Sequence, residues 1–165
     1  MDERFMRRAL ELARDSLDIP GALPYAAVIV KDGQIIGEGL NAAVAKHDPT
    51  SHGEVEAIRD ACAKLGTTSL QGCDLYTTAE PCSMCVATMV IAGIENLYYA
   101  SAAPASAAFI ARLAAHDARY IRRTSNDDLR REVGTALADR KMPATQMLAD
   151  EAADLFDAFA ERAGA

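Results

Sequence analysis

Apolar residues recur at helical spacing in the first segment of the chain and form continuous runs in the next two. Residues Glu3–Ser16 carry apolar side chains three and four positions apart, which predicts an amphipathic helix that ends before Pro20. Leu23–Val30 and Gln34–Leu40 are apolar stretches separated by Lys31-Asp32-Gly33. Because Asp-Gly between two such stretches is a strong hairpin signal, the pattern predicts two antiparallel strands.

The middle of the chain alternates helices with short strands. Apolar residues at helical spacing predict a helix over Val55–Gly66, with His52 at its start, and Pro81 opens a second helix that continues to about Ala92. Cys73–Thr78 and Asn96–Ala100 are rich in β-forming residues. Helices between successive strands imply parallel crossovers, so we expect a three-layer α/β/α fold with a mixed central sheet of about five strands.

The last third of the chain has a weaker pattern. Alanine-rich Ala102–Ala115 predicts a helix, Arg119–Arg123 predicts a short edge strand, and Asp150–Arg162 predicts an amphipathic terminal helix. On that helix, Phe156 and Phe159 are expected to be core or interface residues. A chain of 165 residues without repeats or linkers predicts a single domain, with a C-terminal helical segment from about residue 145.

Composition and charge narrow the class of protein. Half of the residues are apolar and a quarter are charged, which is typical of a globular chain. Acidic residues stand at the N-terminus where a signal peptide needs basic ones, and no apolar run approaches a membrane span, so we expect a cytoplasmic protein. The net charge of −7 argues against nucleic acid as a partner. Five arginines within Arg119–Arg131 are interpreted as a solvated face.

Two short motifs carry the candidate chemistry, His52-Gly53-Glu54 and Pro81-Cys82-Ser83-Met84-Cys85. Cys82 and Cys85 are three positions apart, so on one helical turn their sulfurs face the same way and can hold one tetrahedral ion together with His52. A helix N-terminus also favours thiolates. Three protein ligands leave a fourth position for water, which indicates a catalytic Zn²⁺ site and not a closed structural one.

Glu54 stands beside this ligand set without being needed in it. A carboxylate in that position suits proton transfer between a water, whose pKa zinc lowers towards neutrality, and a substrate. The alternatives are a structural zinc site and a redox Cys-x-x-Cys pair, and both leave the His-x-Glu motif unexplained.

The two motifs together resemble those of the cytidine deaminase superfamily of zinc hydrolases. The resemblance runs over about Ala26–Ala100 and is nearest to the branch of guanine deaminases, fungal-type cytosine deaminases and tRNA adenosine deaminases. It implies that Glu54 is the proton shuttle, that Asn41 hydrogen-bonds the substrate ring, and that zinc is bound by His52, Cys82 and Cys85. Asn41 has an alternative role, which is to close the turn after the second strand.

The resemblance implies a zinc-dependent hydrolase that releases ammonia from a free nucleobase or nucleoside. Asp48-Pro49-Thr50 is similar to guanine deaminases, which favours a guanine-like purine, whereas Gly53 is closer to fungal cytosine deaminases. Guanine deaminases carry an acidic residue after the last strand of the resemblance, but Ser101–Ala108 contains none.

Several alternatives stay open. The substrate can be cytosine or another aminated heterocycle such as a triazine or pterin, or the protein can be a tRNA adenosine deaminase, which must hold a polyanion. A non-enzymatic zinc-stabilised binding domain would need no Glu54. The family and the apolar stretch Val86–Ala92 predict a homodimer.

Overall fold

The computed structural model describes residues 1–164. In chain order its helices and strands are α1 (Glu3–Arg14), β1 (Leu23–Lys31), β2 (Gln34–Asn41), α2 (Ala43–Lys46), α3 (Gly53–Leu65), β3 (Asp74–Ala79), α4 (Ser83–Ala92), β4 (Asn96–Ser101), α5 (Ala103–Ala114), α6 (Asn126–Gly134) and α7 (Ala149–Ala163). Short 3₁₀ turns span Asp15–Asp18, Ala118–Tyr120 and Leu137–Asp139.

The strands form one mixed sheet in the order β2-β1-β3-β4. β1 is antiparallel to both β2 and β3, and β3 is parallel to β4. Asp32 and Gly33 both have positive φ (50° and 73°), as a two-residue hairpin turn of primed type requires, so the predicted hairpin is confirmed. Because β2 and β3 are both antiparallel to β1, they run in the same direction and end at the same edge of the sheet.

The predicted fifth strand is wrong, since the described part of the chain has a four-stranded sheet. The segment Arg119–Arg123 was expected to be that strand. Instead, Asp117 caps a 3₁₀ turn over Ala118–Tyr120, where its carboxylate accepts a hydrogen bond from the Arg119 N–H at 2.9 Å. An aspartate that bonds backbone two residues ahead favours a turn over an extended ladder.

Helices cover both faces of the sheet, which confirms the three-layer α/β/α expectation. On one face, Phe5 and Ala9 of α1 belong to a cluster with Val28, Val30 and Tyr76. On the opposite face, α3 and α4 pack on a larger cluster that contains Ala27, Ile29, Leu75, Cys85 and Met89. Successive residues of β1 alternate between these two clusters, as the two-residue period of a strand requires.

Helix α3 lies on the sheet at backbone contact. Gly39 of β2 faces the backbone of Ala57 and Gly53, so closely that no Cβ would fit there. At Gly53, the first residue of α3, a Cβ would lie 2.5 Å from the carbonyl oxygen of Tyr25 in β1. These glycines therefore fix the start of α3 against β1 and β2.

The chain divides into two compact units, residues 1–130 and the residues from 131 onward. The first holds the sheet and its covering helices. In the second, α7 begins at Ala149, close to the predicted start of the C-terminal helical segment, and none of its described residues is buried. Phe156 and Phe159 are 70% and 74% exposed, so the prediction that they are core residues is wrong, and an interface role stays a prediction.

Among residues 1–164, no helix combines the length and the apolar composition that crossing a bilayer requires.

Candidate metal centre and adjoining cavity

The three predicted metal ligands come from the N-termini of two helices. His52 is the N-cap of α3 and Cys82 is the N-cap of α4, and their carbonyl oxygens accept the first helical hydrogen bonds, from Glu56 (2.9 Å) and Val86 (3.0 Å). Helix α4 therefore begins at Ser83, two residues after the start at Pro81 that the sequence predicted. Cys85 lies in its first turn. The two N-termini meet because α3 and α4 follow strands that end at the same edge of the sheet.

The distances within this group match those of a tetrahedral zinc site. His52 Nδ1 lies 3.6 Å from Cys82 Sγ and 3.4 Å from Cys85 Sγ, and the two sulfurs are 3.6 Å apart. Bond lengths of 2.3 Å to sulfur and 2.0–2.1 Å to nitrogen in a tetrahedron give edges of about 3.8 Å between sulfurs and about 3.6 Å between sulfur and nitrogen. The donor set fits Zn²⁺ in type and spacing, and no second group of this kind occurs within residues 1–164.

The surroundings of Cys82 favour a negatively charged sulfur, whereas the hydrogen bond with Cys82, together with burial, raises the pKa of the Cys85 thiol. Hydrogen bonding with the Cys85 thiol, and then with His52, lowers the pKa of Cys82 to about 4, and the backbone N–H of Cys85 contributes in the same direction. Free thiols in water have a pKa near 8.5. A thiolate held at a helix N-terminus is the form that binds a metal cation.

Glu54 lies in the first turn of α3, two residues after His52, and is only 5% exposed. Burial raises the pKa of this carboxyl, while hydrogen bonding to backbone and the nearby His52 oppose the rise. A buried carboxyl with a raised pKa holds a proton more readily than an exposed one, which suits a group that accepts and then releases a proton.

Asn41 is the last residue of β2 and is 3% exposed. Its Oδ1 accepts a hydrogen bond from the Ala43 N–H at 3.3 Å, so the turn-closing role is observed. Its side-chain nitrogen donates to no other described residue. Because Asn41 also lines the cavity beside the ligands, this nitrogen is available as a donor to a bound molecule.

A small cavity of about 30 Å³ lies against the metal ligands. It is lined by Tyr25, Asn41, His52, Glu54, Ala79, Glu80, Cys82, Ser106, Arg122 and Asn126. Two larger cavities, of about 560 and 420 Å³, share His52 and Arg122 with it. Their size is within the range of ligand sites, and Asn41 lines the 560 Å³ cavity as well.

Several residues of this cavity were missed by the sequence analysis. Tyr25 was part of a predicted strand, and its hydroxyl donates to the carbonyl oxygen of Ser106 at 3.4 Å. Ser106 lies on α5, and Arg122 and Asn126 lie in and after a segment without periodicity, so no local signal marked them. Glu80 accepts the Ala103 N–H at 2.9 Å, which ties the end of β3 to the start of α5.

The chain was then compared with known proteins. Residues 1–101 match the sequence family described as the cytidine and deoxycytidylate deaminase zinc-binding region. Guanine deaminase of Bacillus subtilis (strain 168) is 46% identical over 99 residues, which are 60% of this chain and 64% of that protein. The tRNA-specific adenosine deaminase of Aquifex aeolicus (strain VF5) is 40% identical over 99 residues, 60% of this chain and 65% of that protein. The chain thus aligns with slightly less than two thirds of these relatives.

The comparison with solved structures extends further along the chain. The X-ray structure of guanine deaminase from Bacillus subtilis superposes with a TM-score of 0.80 and 33% identity, over 98% of this chain and 95% of that one. Identity is lower over the whole length than over the 99 aligned residues. Sequence similarity is therefore concentrated in the part that carries the sheet and the metal ligands.

Proposed function

The chain belongs to the family of cytidine and deoxycytidylate deaminase zinc-binding domains, and from this membership we propose that it is a zinc-dependent hydrolytic deaminase of a free nucleobase or nucleoside. The observation that carries the proposal is the convergence of His52, Cys82 and Cys85 at tetrahedral spacing, with buried Glu54 lining the same cavity. A structural zinc site would need neither an open side nor this carboxyl.

The proposed reaction replaces the amino group of a heterocycle by oxygen. When bound, zinc supplies a water nucleophile whose pKa is lowered towards neutrality. Glu54 accepts a proton from the attacking water and delivers it to the ring nitrogen beside the amino-bearing carbon. It then takes the remaining proton from the hydroxyl group now attached to that carbon and passes it to the departing amine, so that the hydroxyl becomes a carbonyl. The Asn41 amide donates to an acceptor on the ring and holds it in place. A carbon–oxygen bond forms, the carbon–nitrogen bond breaks, and ammonia leaves.

A guanine-like purine is the favoured substrate within this proposal. Structural similarity to guanine deaminase of Bacillus subtilis over nearly the whole of both chains supports a guanine-like substrate. The Asp48-Pro49-Thr50 element supports the same substrate. Cytosine or another aminated heterocycle, such as a triazine or pterin, is the second candidate. Gly53 and the absence of acidic residues from Ser101–Ala108 favour that candidate.

Transfer RNA is disfavoured by charge, although tRNA-specific adenosine deaminases are among the similar proteins. The chain has 17 basic and 24 acidic residues, a net charge of −7. Affinity for RNA derives mainly from neutralising phosphates, and a net negative surface repels them. A free base needs only a small pocket with a few polar contacts.

An ammonia-release screen tests the proposal. Zinc-loaded protein is assayed with guanine, cytosine, their nucleosides, adenine, and triazine and pterin analogues, with the zinc-stripped protein as the control. We expect turnover of a free base, with guanine ahead of cytosine. Inosine formation in a tRNA anticodon stem-loop, without ammonia from any free base or nucleoside, would overturn the assignment.

We also propose that the whole chain is one deaminase domain and that it forms a homodimer. The single domain is supported by the structural match over 98% of the chain. The dimer is supported by α4, on which Val90 and Ile91 are 73% and 85% exposed. Sedimentation is expected to give a dimer at micromolar concentration, and a monomer there would contradict this part. The cytoplasmic location stays a prediction.

A further inference from the structure

One basic side chain in the site has no role in the proposed reaction. Arg122 follows the 3₁₀ turn Ala118–Tyr120 and is the one arginine that lines the small cavity with Glu54 and Asn41. It also lines three larger cavities that share residues with this one, of about 560, 520 and 420 Å³. Arg122 is therefore common to the cavity at the metal ligands and to the wider space beside it.

The Arg122 guanidinium acts on Tyr25 and His52 through its charge, at longer range than a hydrogen bond. Glu54 and Glu80 line the same cavity, yet among residues 1–164 Arg122 forms no ion pair or hydrogen bond with them or with any other group. By contrast, its neighbour Arg119 is paired with Asp117 at 2.7 Å. An arginine beside two carboxylates that pairs with neither keeps its five N–H donors for another acceptor.

The hydrogen-bond donors and acceptors of the cavity indicate which polar atoms a bound ring must present to each wall. The carboxylates are Glu54, next to the metal ligands, and Glu80, which already accepts the Ala103 N–H. The donors with nitrogen are the side-chain amides of Asn41 and Asn126 and the guanidinium of Arg122, which is the one that carries a positive charge. A ring that fits must bring its amino-bearing carbon to Glu54 and present acceptor atoms to Arg122.

A 6-oxopurine with a 2-amino group has this arrangement. Its amino-bearing carbon lies in the six-membered ring, and the 6-oxygen and N7 form an acceptor edge elsewhere on the ring system. Arginine pairs with these two atoms through two parallel N–H donors, and this is the commonest specific contact of arginine with guanine in nucleic-acid complexes. We propose that Arg122 is a specificity-determining residue that donates two hydrogen bonds to the 6-oxygen and N7 of a 2-amino-6-oxopurine. This inference rests on the proposed function.

The test compares guanine with 2-aminopurine, which keeps the 2-amino group and N7 but lacks the 6-oxygen. Each has a single exocyclic amine, so ammonia release reports the reaction at the same carbon. The kcat/KM values are measured for the zinc-loaded wild-type protein and for Arg122→Gln. We expect the variant to lose about 10- to 100-fold on guanine, as for loss of a bidentate pair, and only about 3- to 10-fold on 2-aminopurine, which has the single N7 contact to lose.

Two further variants separate hydrogen bonding from charge. Arg123→Gln removes the same charge one residue further on, where the side chain lines only the 420 Å³ cavity, and should leave the guanine to 2-aminopurine ratio unchanged. Arg122→Lys keeps the charge without the planar fork and should keep the low guanine activity. Zinc content and circular dichroism confirm that each variant is folded.

Each contrary outcome has a distinct meaning. An equal loss on both purines, no loss on either, or full recovery of guanine preference by Arg122→Lys would overturn the inference while leaving the deaminase proposal intact. A wild-type protein that releases ammonia from cytosine but from neither purine would overturn the purine assignment and this inference together.

Discussion

The sharpest structural prediction concerns Gly53, which lies between a metal ligand and the proposed proton shuttle. In Gly53→Ala, the added Cβ would lie 2.5 Å from the carbonyl oxygen of Tyr25 and 2.9 Å from the Cα of Ala26. Both are backbone atoms of β1, in the centre of the sheet, so neither can rotate away. The start of α3 must move instead.

The size of that movement follows from the contact distance. Opening the contact from 2.5 Å to an acceptable carbon–oxygen separation of about 3.2 Å requires a shift of about 0.7 Å. Overpacking of this kind costs about 1–3 kcal/mol, and the lower backbone entropy of alanine in the unfolded chain offsets roughly 0.5–1 kcal/mol. Because a displacement of about 1 Å in catalytic geometry can cost about 10²-fold, we expect Gly53→Ala to lose about 10- to 100-fold in kcat/KM.

The assay combines urea unfolding, zinc analysis and steady-state ammonia release. Gly134→Ala is the matched control, since a Cβ there meets no atom within 4 Å, and it should raise stability by at most about 1 kcal/mol and leave activity unchanged. A Gly53→Ala protein with wild-type stability, zinc content and kcat/KM would refute the reasoning that backbone contact with β1 positions the start of α3.

Three further predictions concern the ligands, the substrate contact and the acid stability. Cys82→Ala and Cys85→Ala should each lose zinc and stability, because two ligands cannot complete the site; full zinc retention in both by metal analysis would refute it. Asn41→Ala should lower kcat/KM, with a rise of about 1–3 kcal/mol in the corresponding activation free energy and with zinc content unchanged. An unaltered kcat/KM would leave Asn41 with only its turn contact. Arg8 hydrogen-bonds Glu38 at 2.7 Å and 2.9 Å and holds the pKa of this carboxyl below its ordinary 4.5. The folded-state pKa is the lower one, so the pair stabilises the fold above about pH 4.5, and the contribution is lost as the pH falls through the lowered pKa. The pair contributes at most about 1 kcal/mol because both side chains are partly exposed. In Glu38→Gln, the free energy of unfolding measured with urea should depend less steeply on pH in that acid range. An unchanged slope of this free energy against pH would contradict the prediction.

The elements that depend on local sequence were predictable. The Asp32-Gly33 turn sets the hairpin because both residues adopt positive φ, whatever the rest of the chain does. The metal ligands were predictable because Cys82 and Cys85 are neighbours on one helical turn, and because His52 begins a helix whose apolar spacing is visible.

The far wall of the cavity was not predictable, because it depends on how distant segments fold together. Arg122 belongs to a stretch that was interpreted as a solvated face, and only the tertiary structure brings it beside Glu54. The predicted edge strand at Arg119–Arg123 does not form. Asp117 caps a 3₁₀ turn there, and this contact outweighs the β-propensity of the residues that follow. Local patterns identify the metal ligands and the proposed proton shuttle, whereas the opposite wall of the cavity is formed by long-range packing.

Glu54, a buried carboxyl beside three zinc ligands, is proposed to move the protons of a hydrolytic deamination. Glu54→Gln tests it most directly, because the amide nearly preserves the shape of the side chain and cannot transfer protons. With zinc content and unfolding stability measured on the same samples, we expect full zinc, an intact fold, and a loss of at least about 10²-fold in kcat for ammonia release. Near wild-type turnover by a zinc-loaded Glu54→Gln protein would contradict the account.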